Sequence, residues 1–311
     1  MVGARWIILA FLAGCAPYDF GNEVRNFSTG VDQLSDAFTT GYNNLSRDLA
    51  AQTQLSLDDT RAKVSIAASC GGAIGDLPDN QQPCALYRFQ GSKPVLTDVQ
   101  KTRPRTMVAL KVLTDYAHAL QAVTNAADRA AFDAASKRLE ASVANLAKAA
   151  NAVAPGASTA APVIVKMATW IVGAALDKDR FDSLRQGVNN AADPVRTVAK
   201  TMGIGLEAVR NDRLTALYET TNALVKPLGP GLAEKAYKER LTDAETTLEM
   251  LDEVRRADPA GAADSLATAH DALVAAVNDP ERDFANMTTA VGAFADQANA
   301  LRNALSVPAK H

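Results

Sequence analysis

Three cysteines are the residues whose chemistry the sequence constrains most. Cys15 ends an apolar N-terminal run, whereas Cys70 and Cys84 enclose the thirteen residues 71–83. A thiol can be acylated, can pair in a disulfide, or can bind a metal ion such as zinc. No second close cysteine pair and no histidine cluster accompanies them in the sequence, so a metal site is disfavoured and no cofactor is expected.

The first fifteen residues have the order of a secretory signal. Residues 1–5 carry one basic side chain, Arg5, and residues 6–13 are apolar. Eight apolar residues span about 12 Å as a helix, whereas the hydrocarbon core of a bilayer is about 30 Å thick. The run is therefore too short to be a membrane-spanning helix.

The end of this run, Leu12-Ala13-Gly14-Cys15, resembles the lipobox of bacterial lipoproteins, although no specific family within that class is suggested. The resemblance implies that residues 1–14 are removed and that Cys15 is diacylated as the new N-terminus. The alternative is an ordinary secretory signal whose cysteine is incidental. A buried structural Cys15 is disfavoured because Pro17 discourages a helical conformation at Ala16.

Lipidation would anchor the protein to the membrane without spanning it. One acyl chain holds a protein weakly, whereas two chains give a stable anchor, since each buried CH₂ contributes about 0.8 kcal/mol. Residues 15–21 would then form the anchor and a short tether. In lipoproteins of bacteria with two membranes, an aspartate directly after the acylated cysteine resembles a signal for retention in the inner membrane. This chain has Ala16 at that position. The resemblance therefore implies the periplasmic face of the outer membrane. The outer face of the cytoplasmic membrane is the alternative.

Export would place Cys70 and Cys84 in an oxidising compartment, where a cysteine pair normally forms a disulfide. Closing a loop of this length contributes about 3 kcal/mol in chain-entropy terms. The sequence therefore predicts a Cys70–Cys84 bridge.

No arrangement of residues supports an enzyme. His118, His270 and His311 are far apart in sequence, and none belongs to a zinc-binding or catalytic motif. The formal charge is −3, and it becomes −4 when Arg5 is lost with residues 1–14. Such an acidic chain lacks the basic patch that nucleic-acid binding requires.

Two segments are candidate binding surfaces. Tyr87, Arg88 and Phe89 follow Cys84, and tyrosine and arginine commonly anchor protein interfaces. The competing interpretation is that the two aromatic rings simply cover the end of a helical bundle.

Residues 162–176 form the second segment, which is strongly apolar but interrupted by Lys166. A central buried helix is favoured. If the protein instead carries an apolar or lipid ligand, Ile164, Met167, Trp170 and Ile171 would line its site.

Helical periodicity extends over almost the whole chain. Apolar residues alternate in steps of three and four, which is the seam of a helix packed in a bundle or coiled coil. Such seams are Val24, Phe27, Val31, Leu34, Phe38, Tyr42, Leu45 and Leu49; Leu139, Val143, Leu146, Ala150 and Val153; and Phe284, Met287, Val291, Phe294, Ala298, Leu301 and Leu305. We therefore expect an all-α protein, an elongated bundle of long antiparallel helices.

The predicted bundle is one domain, residues 22–311, with an irregular loop over residues 70–103. Breaks are expected at Asp193-Pro194, Asp258-Pro259 and Asp279-Pro280, where an aspartate can cap a helix that starts with proline, and at the turn 226–231. Gly203 and Gly205 indicate a kink or a close helix crossing. The predicted helical stretches are 22–68, 104–153, 160–192, 194–226, 231–257 and 260–306.

These features favour a non-enzymatic, membrane-anchored envelope lipoprotein that scaffolds or binds another envelope protein. The alternative is a helical carrier of a small apolar or lipid ligand. The oligomeric state is not fixed by the sequence.

Overall fold

Seven helices and three short strands make up the described part of the chain. The computed structural model describes residues 20–60, 64–66, 86–90, 93–94, 98–153, 176–279 and 284–307. The elements are α1 (Gly21–Thr60), β1 (Val64–Ile66), β2 (Leu86–Gln90), β3 (Lys93–Pro94), α2 (Asp98–Thr124), α3 (Arg129–Val153), α4 (Leu176–Val225), α5 (Glu234–Arg256), α6 (Pro259–Asn278) and α7 (Ala285–Ser306). The predicted helical bundle is confirmed.

The apolar seams predicted from the sequence form the core of this bundle. On α1 the seam residues from Val24 to Leu45 are buried, and Leu49 packs against the core. On α7 the residues from Met287 to Leu305 are buried at the predicted spacing. The largest fully buried side chains include Phe27, Phe38, Phe294 and Tyr116.

The helix α4 is the centre of the bundle, and it contacts α1, α2, α3, α5 and α6. The hairpins α2/α3 and α6/α7 are antiparallel, as the bonds Ser142–Asp115 and Ser265–Gln297 indicate. The consecutive helices α3 and α4 instead run parallel, because Arg129 pairs with Asp179 near the start of both helices and Gly187 of α4 lies against Leu139 of α3. However, α1 runs parallel to α7, because Glu23 bonds Thr288 and Asn44 bonds Leu305. The prediction of antiparallel helices therefore holds for these two hairpins and not for every packed pair.

Two predicted boundaries are wrong near the small sheet. The helix predicted for 22–68 ends at Thr60, and Val64–Ile66 instead pairs with β2 as an antiparallel strand. The β-branched residues Val64 and Ile66 favour an extended backbone over a helix. The loop predicted to be irregular over 70–103 contains β2, β3 and the first turns of α2.

Two further corrections concern helix breaks. The stretch 104–153 is interrupted at 125–128, where the Asp128 carboxylate accepts a hydrogen bond from the Ala131 N–H and starts α3. The break at Asp193-Pro194 does not exist, because α4 continues through Pro194. An interior proline costs about 3 kcal/mol. Burial of Pro194 and Val195 in the core offsets that cost.

Two of the three remaining breaks are confirmed. Asp258 accepts a hydrogen bond from the Gly261 N–H at 2.9 Å, and Pro259 is the first residue of α6. The turn at 226–231 joins α4 to α5. The stretch predicted over 260–306 is divided after Asn278, but Asp279 is the C-cap of α6 and α7 begins at Ala285, so Asp279 is not the N-cap that the sequence predicted. No helix among the described residues has both the length and the apolar character needed to cross a bilayer.

Glycines let α4 approach its neighbours closely, as the sequence predicted. A Cβ on Gly205 would lie 2.7 Å from Thr106 Cβ on α2, and one on Gly203 would lie 2.9 Å from Ala263 Cβ on α6. Rotation of the Thr106 side chain about χ1 does not move its Cβ atom. Such a rotation therefore cannot relieve the contact with a Cβ on Gly205.

We expect Gly205→Ala to destabilise the protein by about 1–3 kcal/mol, because α2 and α4 must separate. Gly292→Ala on α7 is the matched control, since its Cβ would meet no atom within 4 Å. Alanine in a helix interior is better than glycine by about 1 kcal/mol, so the control should be neutral or stabilised. Urea unfolding of both variants measures the difference, and equal stability of the two would contradict the close crossing.

Candidate functional site

Most of the residues that the sequence marked for function lie outside the described residues. These are Cys15, Cys70, Cys84, Ile164, Met167, Trp170 and Ile171. The acylation, the disulfide and the apolar-ligand site therefore stay predictions.

The candidate interaction residues Tyr87, Arg88 and Phe89 lie in strand β2. Tyr87 is opposite Ser65 and Arg88 is opposite Val64 on β1, whereas Phe89 is opposite Pro94 on β3. The segment expected to be an irregular loop is thus the middle strand of a three-stranded antiparallel sheet.

The two internal histidines have separate environments. His118 on α2 is exposed and lies 3.0 Å from a carboxylate oxygen of Asp32 on α1. His270 on α6 is fully buried, and its Nε2 lies 2.8 Å from the hydroxyl of Tyr116 on α2. A joint metal or catalytic role for the two histidines has no geometric support.

The His270–Tyr116 pair is neutral at pH 7. Burial lowers the pKa of His270 to about 4, against a weaker opposing effect of Asp271. Burial also raises the pKa of Tyr116 above its ordinary value. Phe27 packs beside the imidazole with ring centroids 5.9 Å apart. A fully enclosed neutral pair supports packing across the bundle and offers no group to a substrate.

A second buried polar cluster joins three helices around Arg213 of α4. Its Nε donates to Asp48 of α1 at 2.8 Å, and both side chains are completely buried. Its terminal nitrogens donate to the backbone carbonyls of Leu305 and Val307 at 2.7 and 2.9 Å. Asn44 of α1 donates to the same two carbonyls.

This Arg213 cluster caps α7. The last carbonyls of a helix have no partner within it, and a cation there is favoured by the helix dipole. Arg213 and Asn44 supply donors from two other helices, so the end of α7 is held against α1 and α4. No local sequence pattern indicates this cluster, because Asp48 and Arg213 are far apart along the chain.

Exposed apolar side chains gather on α4 and α5. Of the eight large exposed apolar residues in the described part of the chain, six lie on these two helices: Ile204, Tyr218, Val225, Tyr237, Leu241 and Leu248. The three on α4 belong to a row spaced by four and three residues, which we call the α4 seam: Ile204, Ala208, Asn211, Thr215, Tyr218, Asn222 and Val225. Every member is uncharged, and all except Ala208 are exposed.

A surface groove of about 640 Å³ lies between the end of α5 and α7. Its wall mixes apolar and polar side chains, including Ala300, Leu301, Gln297, Asp296, Glu253 and Arg256. Arg256 donates to Glu253, which also lines the groove, and to Asp252 of α5. The groove is a mixed surface feature and differs from the enclosed apolar cavity that a lipid carrier needs.

The Arg213 cluster predicts a large effect of removing one partner. Arg213→Met leaves the Asp48 carboxylate and two carbonyls buried with fewer donors, and should cost about 3–5 kcal/mol in unfolding free energy. Arg196→Met is the matched control, because its pair with Asp271 at 2.8 Å is half exposed and contributes less than about 1 kcal/mol. Urea unfolding measures both variants.

The double variant Asp48→Leu/Arg213→Met should recover part of that loss, because removing both charges leaves none unpaired. A single variant as stable as the wild type would show that the cluster is not a stabilising constraint.

His270 predicts a pH-dependent stability. Its pKa in the folded protein, about 4, is below the ordinary value of 6.5, so the unfolded chain binds more protons between these values. The contribution of His270 to the free energy of unfolding is fully present above pH 6.5, and it is lost as the pH is lowered towards 4, by up to about 3 kcal/mol.

Urea unfolding across this range should show that His270→Gln lacks this pH-dependent loss of stability. His118→Gln, at an exposed histidine, should retain it, and identical pH profiles for wild type and His270→Gln would refute the assignment.

Within the described residues, no group of three or more histidine, cysteine or acidic side chains is placed to hold a metal ion. Comparison with protein-family models, with curated proteins and with solved structures found no match to this chain.

Proposed function

We propose that this chain is a lipid-anchored envelope protein whose helical bundle acts as a non-enzymatic scaffold or protein-interaction module. The structural observation that carries the interaction role is the α4 seam, an uncharged row of mostly exposed residues on the central helix. Exposed large apolar side chains that gather on one surface, as Ile204, Tyr218 and Val225 do within this row, commonly mark an interaction site.

The anchor rests on the sequence at Cys15. Two acyl chains on this residue would hold the protein at the membrane, with the periplasmic face of the outer membrane as the proposed location. The tether 15–21 leads directly into α1, which starts at Gly21. A helix of 40 residues is about 60 Å long, so the far end of α1 could be displayed at a distance from the lipid.

The finer features of the fold belong to the same proposal. An elongated bundle with a Cys70–Cys84 disulfide fits an exported protein, because oxidised cysteine pairs persist outside the cytoplasm. The bridge would close the loop that precedes β2, where Tyr87, Arg88 and Phe89 lie. These three residues remain a candidate contact for another envelope protein.

The scaffold is favoured over the ligand carrier by how the bundle is filled. Phe27, Phe38, Phe294 and Tyr116 are fully buried at its centre, and the ionic Arg213 cluster lies at the end of α7. Side chains thus fill the described interior of the bundle. A partner would therefore bind to the described surface.

Metabolic labelling with a palmitate analogue tests the anchor. The wild-type chain should incorporate the label and fractionate with membranes, whereas Cys15→Ser should lose both properties. Cys70→Ser is the matched control and should keep the label. Absence of label from the wild type would overturn the lipid anchor.

Native mass spectrometry of the labelled protein after detergent removal distinguishes the scaffold from the carrier. The expected mass is that of the chain with its covalent lipid. A stoichiometric non-covalent lipid or apolar ligand would overturn the scaffold in favour of the carrier.

A further inference from the structure

We propose that Phe20, Phe181 and Phe284 clamp the start of α1, and that the end of the bundle around these three rings is the surface that faces the lipid. We call the three rings the aromatic clamp and the surrounding part of the bundle the clamp end. The proposal rests on the lipid anchor proposed for Cys15, and it names the surface of the fold that meets the membrane.

The aromatic clamp holds the chain at a position where helices commonly fray. Phe20 directly precedes α1, yet it is only 5% exposed. Its ring centroid lies 4.8 Å from that of Phe284, before α7, and 5.7 Å from that of Phe181 on α4. Its carbonyl accepts a hydrogen bond from the Val24 N–H at 3.0 Å. Because aromatic pairs at these distances attract each other, α1 is held from its first turn.

Other contacts join the remaining helices at the clamp end. Arg129, the first residue of α3, pairs with Asp179 near the start of α4. Arg180 of α4 donates to the carbonyl of Ala126, which lies between α2 and α3. Asn278, the last residue of α6, hydrogen-bonds to α4. The clamp therefore fastens α1 to an end that combines the starts of α3, α4 and α7 with the ends of α2 and α6.

The link between the proposed anchor and this end is short. Four residues separate Cys15 from Phe20. A chain extends by at most about 3.6 Å per residue, so these five steps reach about 18 Å in any conformation. The first turns of α1 cannot lengthen the link while Phe20 is clamped. The clamp end therefore stays within about 18 Å of the acylated residue.

The opposite end of α1 is far from the lipid. Its 40 residues span about 60 Å as a helix. The strand β1 starts at Val64, only four residues after Thr60, so the sheet begins near this far end. The candidate contact residues 87–89 belong to β2 of the same sheet.

The central helix α4 extends in the same direction as α1. Phe20 meets Phe181 near the start of both helices, and Asp48 meets Arg213 further along both. The turn 226–231, which follows α4, is therefore also distant from the clamp end. A partner that fits this arrangement is an envelope component held away from the lipid that carries the anchor.

Net charge favours an end-on bundle over one that lies along the membrane. The formal charge of −3 becomes −4 when Arg5 is lost with residues 1–14. An anionic lipid surface repels an acidic bundle, whereas the acyl chains hold it at one end only. Repulsion along the sides and attachment at the clamp end together favour the end-on arrangement.

The clamp end itself carries charges of both signs in pairs. Arg129 pairs with Asp133 and Asp179, and Lys178 pairs with Asp182 at 3.1 Å. These pairs limit repulsion from anionic headgroups where the bundle comes closest to them.

Energy transfer to the lipid surface tests the orientation. The purified full-length lipidated protein is placed in vesicles of phosphatidylethanolamine and phosphatidylglycerol that carry an acceptor dye on a headgroup. A donor dye is attached through p-azidophenylalanine in place of Lys178, Lys200 or Lys226, which are exposed and follow one another along α4 and the turn after it. The second and third positions lie about 33 Å and about 70 Å beyond the first along the helix.

Transfer should be strong from Lys178, weaker from Lys200 and lost from Lys226. Equal transfer from the three positions would overturn the end-on arrangement, and strongest transfer from Lys226 would overturn the assignment of the clamp end. If the protein is labelled at Cys15 by the palmitate analogue and transfer is equal, only the orientation fails. If the wild type takes up no label, the lipid anchor fails, and this proposal fails with it.

Phe20→Ala tests the clamp. This substitution should release the first turns of α1 and lengthen the link, so transfer from Lys178 should shift towards the value for Lys200. Phe132→Ala is the matched control, because Phe132 is also 5% exposed and lies at the same end but outside the clamp. The control should keep the wild-type transfer, and wild-type transfer in Phe20→Ala would refute the clamp.

An insertion before Phe20 changes the link without changing the clamp. About ten glycine and serine residues placed between Asp19 and Phe20 form a flexible extension, which should lower transfer from Lys178. Circular dichroism melting checks that each variant is folded. Unchanged transfer after the insertion would show that the length of the link does not set the position of the bundle, and would overturn the proposal even if Phe20→Ala fails to fold.

Discussion

The guanidinium of Arg213 has no contact with solvent, so its N–H groups must find acceptors inside the bundle. Asp48 supplies one acceptor from α1, and Leu305 and Val307 supply two from the end of α7. These contacts fix the rotation and the axial position of three helices at once, because a shift of any one helix breaks a charged hydrogen bond. Apolar seams can slide by a heptad at modest cost, whereas this cluster defines one register. The end of α7 therefore lies where α1 and α4 can cap it.

The other constraints on the bundle determine how close the helices lie more than how they are aligned along their axes. Gly205 brings α4 against Thr106 of α2, and Gly30 of α1 lies under the ring of Phe294 of α7. The His270–Tyr116 hydrogen bond joins α6 to α2 across the interior, where both groups stay neutral. Because the helices lie close together and the buried His270–Tyr116 hydrogen bond carries no charge, alanine-rich helices can bury their surface without many large side chains. The low aromatic content of 5% thus agrees with a well-packed interior.

Sequence reasoning succeeded where the information was local. The apolar steps from Val24 to Leu45 name the buried face of α1 residue by residue, and Asp258-Pro259 marks the start of α6. It failed where a distant contact decided the outcome. Pro194 lies inside α4 because its burial offsets the lost hydrogen bond, and Asp48 meets Arg213 only after α1 and α4 have packed. The α4 seam was not predicted from the sequence, because Asn211, Thr215 and Asn222 interrupt its apolar pattern. Only the fold places this row on the surface.

The central helix thus has two faces with different physical roles. One face carries Arg213 together with buried residues such as Val209 and Leu217, and it is committed to the interior. The other carries the α4 seam, whose members are exposed except Ala208, which belongs to the core. Its large apolar members Ile204, Tyr218 and Val225 are exposed, and the charged residues Glu207, Asp212, Glu219 and Lys226 lie beside the row. Because the Arg213 cluster keeps α4 in one register with α1, any helix bound along the seam would be aligned with the whole bundle.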